Sequence, residues 1–290
     1  MWTILGAPLD SAGRGRGEEL APETLRRAGI VEAIAGRDAG DIAFPLRPAE
    51  RDARTGIIAF DSLVSASKQV ADAVAMELAS GARPFVLGGD CTVLIGALAG
   101  CRRNGDLDAL WFVDGHADYF DGESSPTGEA ADMDLAIVTG DGPEELTQLG
   151  GPGALIEPAR VALLGHRAAS LDREVAAERA RVPSALRQLD APAILEAGPG
   201  RVGAETAAGG GGGSAWLHLD LDVLDGEVLP AVSYPQAEGL DWAALGELLE
   251  PLLASPSLIG LSLADFNPDR DPDGTHGARI VTALGAWLAG

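Results

Sequence analysis

Asp114-Gly115-His116-Ala117-Asp118 follows directly on the apolar run Ala109-Leu110-Trp111-Phe112-Val113. If that run is a buried strand, two-residue alternation sends Asp114, His116 and Asp118 to one side of its exit. Trp216 to Asp222 repeats the pattern, with Leu217, Leu219 and Leu221 on one face and His218, Asp220 and Asp222 on the other. Carboxylates gathered this closely repel one another, and burying them unpaired is costly. A bound cation is the simplest remedy. Oxygen-rich ligation with one imidazole suits a hard or borderline divalent ion such as Mn²⁺. Asp114, His116, Asp118, Asp220 and Asp222 offer donors enough for two ions roughly 3.5 to 4 Å apart, sharing a water whose pKa they lower. The chemistry of such a centre is hydrolysis at neutral pH.

The elements that must position these residues are short apolar runs alternating with helical patterns, which predicts a doubly wound α/β sheet, mostly parallel. The predicted strands are 2–5, 84–87, 109–113, 161–164, 215–219 and 258–263, and the predicted helices 22–28, 62–80, 92–99, 171–180 and 242–253. A third polar cluster, Gly88-Gly89-Asp90-Cys91, follows the run Phe85-Val86-Leu87. Ligands of open α/β sheets bind at the carboxyl ends of strands, so three clusters at that edge point to one site. Asp90 and Asp225 are read first as cap or turn residues. The glycine-rich stretch before Gly17 lacks lysine and reads as a turn device, not a phosphate loop. Residues 121–134, rich in Gly, Ser, Pro and acids, are expected to be a loop over the site. The Gly209 to Gly213 run reads as a flexible surface connection. It does not divide the site, and residues 1–290 are expected to form one domain.

The net charge of −23, from 44 acidic and 21 basic residues, opposes binding to nucleic acid and anionic membranes. The absence of a long apolar stretch or signal-like N-terminus leads to an expected cytoplasmic location. Cys91 and Cys101 are too few for a disulfide framework.

In order along the chain, these motifs resemble those of the ureohydrolases, the arginase and agmatinase family. Gly6-Ala7-Pro8, Gly17 to Pro22 and Leu25-Arg26 look like its N-terminal signature, and Gly88 to Thr92 is similar to its Gly-Gly-Asp-His-Ser motif. Asp114 to Asp118 matches Asp-Ala-His-x-Asp, and Asp220 to Asp225 matches Asp-x-Asp-x-x-Asp. The resemblance implies a three-layer α/β/α fold and two divalent ions, manganese first, with zinc, iron or nickel as alternatives. One ion would take Cys91, Asp114, Asp118 and Asp220. The other would take His116 and Asp222 with bridging oxygens of Asp114 and Asp220. It further implies attack on the carbon of a small cationic guanidino substrate, and a homo-oligomer, trimer or hexamer.

Three departures from the family pattern bear on substrate and metal. Cys91 replaces a metal-binding histidine, and a thiolate favours Zn²⁺ or Fe²⁺ over Mn²⁺. Ala131 falls where the family has a proton-shuttling histidine, and Phe120 and Thr127 stand where arginases recognise the amino-acid head group. Arginine is therefore a doubtful substrate, and Glu129 or Asp132 is expected to face a cationic end. Asp265, in Leu263 to Pro268, corresponds to the glutamate that clasps the guanidinium and is one methylene shorter. Asp118 and Asp265 are accordingly the expected catalytic residues, with Phe120, Thr127, Glu129 and Asp265 binding substrate. His166 and His276 are expected in loops and His218 packed in its strand. The leading expectation is metal-dependent hydrolysis of a linear guanidino or amidine compound. An N-hydroxyguanidino hydrolase, suggested by Cys91, and a non-catalytic metal-binding protein are the alternatives.

Overall fold

Strands whose side chains are apolar on both faces must be covered on both faces, which is the condition under which parallel sheets form. The computed structural model describes residues 1–43, 50–105 and 107–288. It contains β1 (Trp2–Ala7), β2 (Arg37–Asp41), β3 (Arg83–Gly88), β4 (Ala109–Val113), β5 (Val161–Leu164), β6 (Arg187–Leu189), β7 (Ala215–Asp220) and β8 (Leu258–Ala264). These make one sheet in the order β2-β1-β3-β8-β7-β4-β5-β6. Every strand pairing is parallel. Two apolar clusters flank it. Trp2, Phe85, Trp111, Leu217 and Leu261 pack on one face with Leu248 and Ile280 from the helices Trp242–Leu253 and Thr275–Leu288. Val86, Leu110 and Phe112 pack on the other with Val70 and Leu94 from the helices Phe60–Ala79 and Val93–Asn104. The result is the expected α/β/α arrangement of three layers.

The last apolar row fixes where chemistry can begin. Leu87 of β3 is in register with Leu263 of β8, Leu263 with Leu219 of β7, and Leu219 with Val113 of β4. One residue beyond that row stand Gly88, Ala264, Asp220 and Asp114. Four adjacent central strands thus deliver their C-terminal loops to one edge.

All six expected strands are present, several longer than expected. The two unread strands, β2 and β6, are the edges: Arg-Asp-Ala-Gly-Asp is exposed throughout and Arg-Gln-Leu is half-buried. Such segments carry no apolar alternation, and their pairing is decided by the backbone of the neighbouring strand. His276 lies within the helix Thr275–Leu288, not in a loop as expected. The glycine run joins the helix Pro199–Gly209 to β7, and the sheet continues across it. Among the described residues no helix is long and apolar enough to cross a membrane. Both cysteines are free and buried.

Candidate metal centre

Asp220 is the last residue of β7, but most of the donors are placed by turns, not by strand alternation. β4 stops at Val113, and Asp114 to Asp118 bends away from it. Asp222 lies in a short 3₁₀ turn, Leu221–Val223, just past β7. Asp118 and Asp265 both adopt left-handed backbone conformations, with φ of 46° and 66°. Few non-glycine residues tolerate this region, aspartate among them, and its occurrence at two carboxylates of one site marks a backbone shaped for chemistry. The amide of Asp265 donates to Gly89 O at 2.8 Å, tying the β8 loop to the β3 loop. Gly89 has no room for a side chain, since a Cβ there would lie 1.9 Å from Leu9 O.

The four loops enclose a cavity of about 300 Å³ that Cys91, Asp114, His116, Asp118, Asp220 and Asp222 all line. Phe120, Thr127, Glu129 and Asp265 also reach it. Within it, His116 Nδ1 is 2.7 Å from Asp222 Oδ2 and 4.0 Å from Asp114 Oδ1. The Gly115 amide donates to Asp222 Oδ1 at 3.0 Å, the Asp222 amide to Asp220 Oδ1 at 2.8 Å, and the His116 amide to Asp114 Oδ1 at 2.7 Å. Behind this layer the buried Arg167 donates to the carbonyls of Asp222 and Leu224 at 2.9 and 3.0 Å, pinning the loop that follows β7.

Burial, and then neighbouring carboxylates, push Asp114, Asp118 and Asp220 well above the ordinary carboxylate range. Burial also raises Asp265, with repulsion from Glu18 and Asp222 adding to it. Asp222 is the exception: burial works against its charge, but His116 holds it below the usual value. The imidazole in turn is lowered by burial and lifted by Asp222, to about 10. So many buried carboxylates exceed what one imidazole and the Arg167 guanidinium behind them can balance. Asp114 Oδ2 is buried with no protein partner, as are both oxygens of Asp134. Ligand atoms of Asp114, His116 and Asp222 lie within 4.8 Å of one another, as do those of Asp114, His218 and Asp220, those of Asp220, Asp222 and Asp265, and those of Cys91, Asp118 and Asp134. This donor chemistry fits divalent cations.

The sequence profile of the Arginase family matches residues 1–289. The chain belongs to the arginase family. It is similar to the arginase of Bacillus caldovelox, at 30% identity over 298 residues, covering 98% of this chain and 96% of the relative. A solved structure of the Bacillus caldovelox arginase superposes with a TM-score of 0.89 at 29% identity, covering 100% of this chain and 98% of that one. The proclavaminate amidino hydrolase of Streptomyces clavuligerus shares the fold, with a TM-score of 0.72 at 20% identity over 99% of this chain and 90% of that one.

Within this arginase-family frame several side chains join the site without any local sequence signal. Asp134 does not belong to the loop that precedes it. It is wholly buried at the start of the helix Asp134–Val138. Glu18, 1% exposed, lines the cavity beside Asp265. Ser233 links the two, its amide donating to Asp265 Oδ2 at 3.2 Å and its hydroxyl to Glu18 Oε1, while Glu18 Oε2 is buried without a partner. Burial, with Asp90 adding repulsion, raises Glu18 to about 7. Glu178 accepts the amides of Ala117 and Tyr119 at 3.3 Å, steadying the Asp114–Asp118 turn.

Glu129 differs from expectation. Its carboxylate is engaged by Arg16 at 2.6 Å and Arg14 at 3.1 Å, so the chain's own arginines take the place of the expected external cation. Asp132 Oδ2 accepts from Ser125 Oγ and Thr127 Oγ1, both at 2.7 Å, and Oδ1 is buried without a partner. Burial raises its pKa to about 6. Of the remaining histidines, His218 Nδ1 is 2.7 Å from Ser262 Oγ and its ring stacks on Phe112 at 5.1 Å, with burial lowering it to about 3. His166 is buried after β5, its Nδ1 3.1 Å from Arg167 O. Asp225 caps a turn away from the cavity, accepting from Glu227 N at 2.9 Å.

Proposed function

We propose that this chain hydrolyses a C–N bond of a linear guanidino or amidine compound with the help of two divalent cations, releasing urea or an analogue. The observation that carries the reading is the convergence of Asp114, His116, Asp118, Asp220 and Asp222 on one cavity in an arginase-family sheet, with a second carboxylate pair, Glu18 and Asp265, at its wall. When bound, the cations supply Lewis acidity and lower the pKa of water, so a nucleophile is available at neutral pH. Manganese is the first choice, and Cys91 brings zinc, iron and nickel into contention. Asp114 and Asp220 would serve both ions, His116 and Asp222 one, and Asp118 with Cys91 the other.

The rest of the chemistry falls to side chains of the cavity. Asp265 and Glu18 receive the guanidinium, whose donors satisfy the unpartnered Glu18 Oε2. Phe120 walls the substrate on one side and keeps bulk water from it. Proton transfer cannot involve position 131, because alanine has no titratable group. Asp132 is adjacent, lines the cavity and offers a free oxygen, so we assign it the proton that must reach the departing amine. We also propose, from the family resemblance, that the protein acts as a homo-oligomer.

An N-hydroxyguanidine is the second candidate substrate, favoured by Cys91. Metal-loaded protein incubated with a panel of guanidino and N-hydroxyguanidino compounds tests both readings. Release of urea with an amine supports the first and release of hydroxyurea the second. Release of neither with any metal rejects hydrolysis and leaves a metal-binding protein.

A further inference from the structure

One end of the cavity departs from the ligand set that the family resemblance implies. Cys91 Sγ, an oxygen of Asp118 and an oxygen of Asp134 lie within 4.8 Å of one another. Cys91 begins the turn after β3, Asp118 ends the turn after β4, and Asp134 opens the helix Asp134–Val138, so three separate elements aim at one point. Asp134 is 0% exposed, and neither of its oxygens completes a hydrogen bond of good geometry, although the Leu135 amide and the Asp118 carboxyl lie close. Buried carboxylates are otherwise hydrogen-bonded or paired, and no arginine or lysine pairs with this one among the described residues. The thiol is parked, donating to Ala131 O at 3.1 Å.

We infer that Asp134 is a metal donor, which together with Cys91 and Asp118 holds one divalent cation in a thiolate–carboxylate set where the family has an imidazole. On binding, the Cys91 S–H bond breaks, its proton passes to solvent, and the sulfur lone pair goes to the cation. Cys91, Asp118 and Asp134 then face the cation together with the shared Asp114 and Asp220, and the sulfur shifts preference from manganese toward zinc, iron or cobalt. Position 134 thus offsets what the change at position 91 removed. The inference rests on the metal-binding half of the proposed function and is independent of the substrate.

The test is a Co²⁺ titration of metal-stripped, reduced protein followed by absorbance. Wild type is expected to develop a sulfur-to-cobalt charge-transfer band that saturates at one thiolate-bound cobalt per chain. Asp134→Asn should weaken that cobalt at least about tenfold, and Asp134→Cys, by adding a second thiolate, should about double the band per cobalt. X-ray absorption of cobalt-loaded wild type needs no variant to fold and should show a sulfur neighbour at about 2.3 Å. Folded variants with wild-type affinity and wild-type band overturn the role of Asp134, while the metal reading survives. A wild type that binds cobalt without sulfur also overturns the inference. Wild type that binds no cobalt overturns the metal reading itself.

Discussion

Replacing Glu18 by glutamine separates what this carboxylate does for binding from what it does to stability. Its carboxyl titrates at about 7 in the folded chain against an ordinary 4.5, first through burial and then through repulsion from Asp90. At about 1.4 kcal/mol per pH unit, that difference amounts to about 3 kcal/mol. Below pH 4.5 the group is protonated in both folded and unfolded chains, so it has no effect on pH dependence. Between 4.5 and 7 the unfolded chain gives up its proton first, and wild type loses stability as the pH rises. Above 7 the loss is complete. Glutamine keeps the acceptor for Ser233 Oγ and removes the titration. The Glu18→Gln protein should therefore gain about 3 kcal/mol over wild type between pH 4.5 and pH 8, read by guanidinium chloride unfolding in the presence of chelator. The same change should raise the KM for a cationic guanidino substrate about 10- to 100-fold, the loss of one charge-assisted contact. A wild-type-minus-variant difference that stays flat from pH 4.5 to 8 refutes the assignment of a buried, raised carboxyl. An unchanged KM refutes its role in the cavity.

Asp132→Asn should lower kcat about 10²-fold with little effect on KM, and Ala131→His in that background should recover much of the loss, both measured by steady-state urea release. Failure of Asp132→Asn to affect kcat would place the proton elsewhere. Gly96 lies where the helices Phe60–Ala79 and Val93–Asn104 touch, and a Cβ there would sit 2.5 Å from Val70 Cβ and 2.7 Å from Ser67 O. Gly96→Ala should lower unfolding free energy by about 1–3 kcal/mol in denaturant melts, whatever the metal content. Chelation should lower the melting temperature of the metal-loaded protein, since cation at 100-fold over its Kd contributes about 2.7 kcal/mol. Calorimetry that finds no metal-dependent shift would contradict the buried centre.

The central strands and the donor clusters are legible in the sequence because both come from uninterrupted local runs. Val113 and Leu219 close apolar segments, and acids follow at once. Turns rather than alternation place Asp118 and Asp222, and Asp265 follows β8 in a left-handed conformation of its own. What the sequence hides is set by distant packing. Glu18 becomes a wall of the cavity only because Ser233, 215 positions away, comes to meet it. Asp134 reads as one more acid in a polar loop until its helix buries it beside Cys91. Glu129 reads as a free acid because nothing local reveals that Arg14 and Arg16 fold back onto it. The edge strands escape notice for the opposite reason, having no apolar pattern to display.

The row Leu87, Leu263, Leu219 and Val113 sets a tolerance for change in this molecule. Inserting or deleting one residue upstream of it in β3, β4, β7 or β8 would slide a donor by about 3.3 Å and turn it to the opposite face of the sheet. No cation could accommodate such a shift. The segment from Asp121 to Met133 hangs beyond the row and obeys no such rule. Apart from Ala131, whose carbonyl holds the Cys91 thiol, and Asp132, variation that alters what the cavity accepts can accumulate there without disturbing the centre, whereas the four strand ends are rigidly held to length.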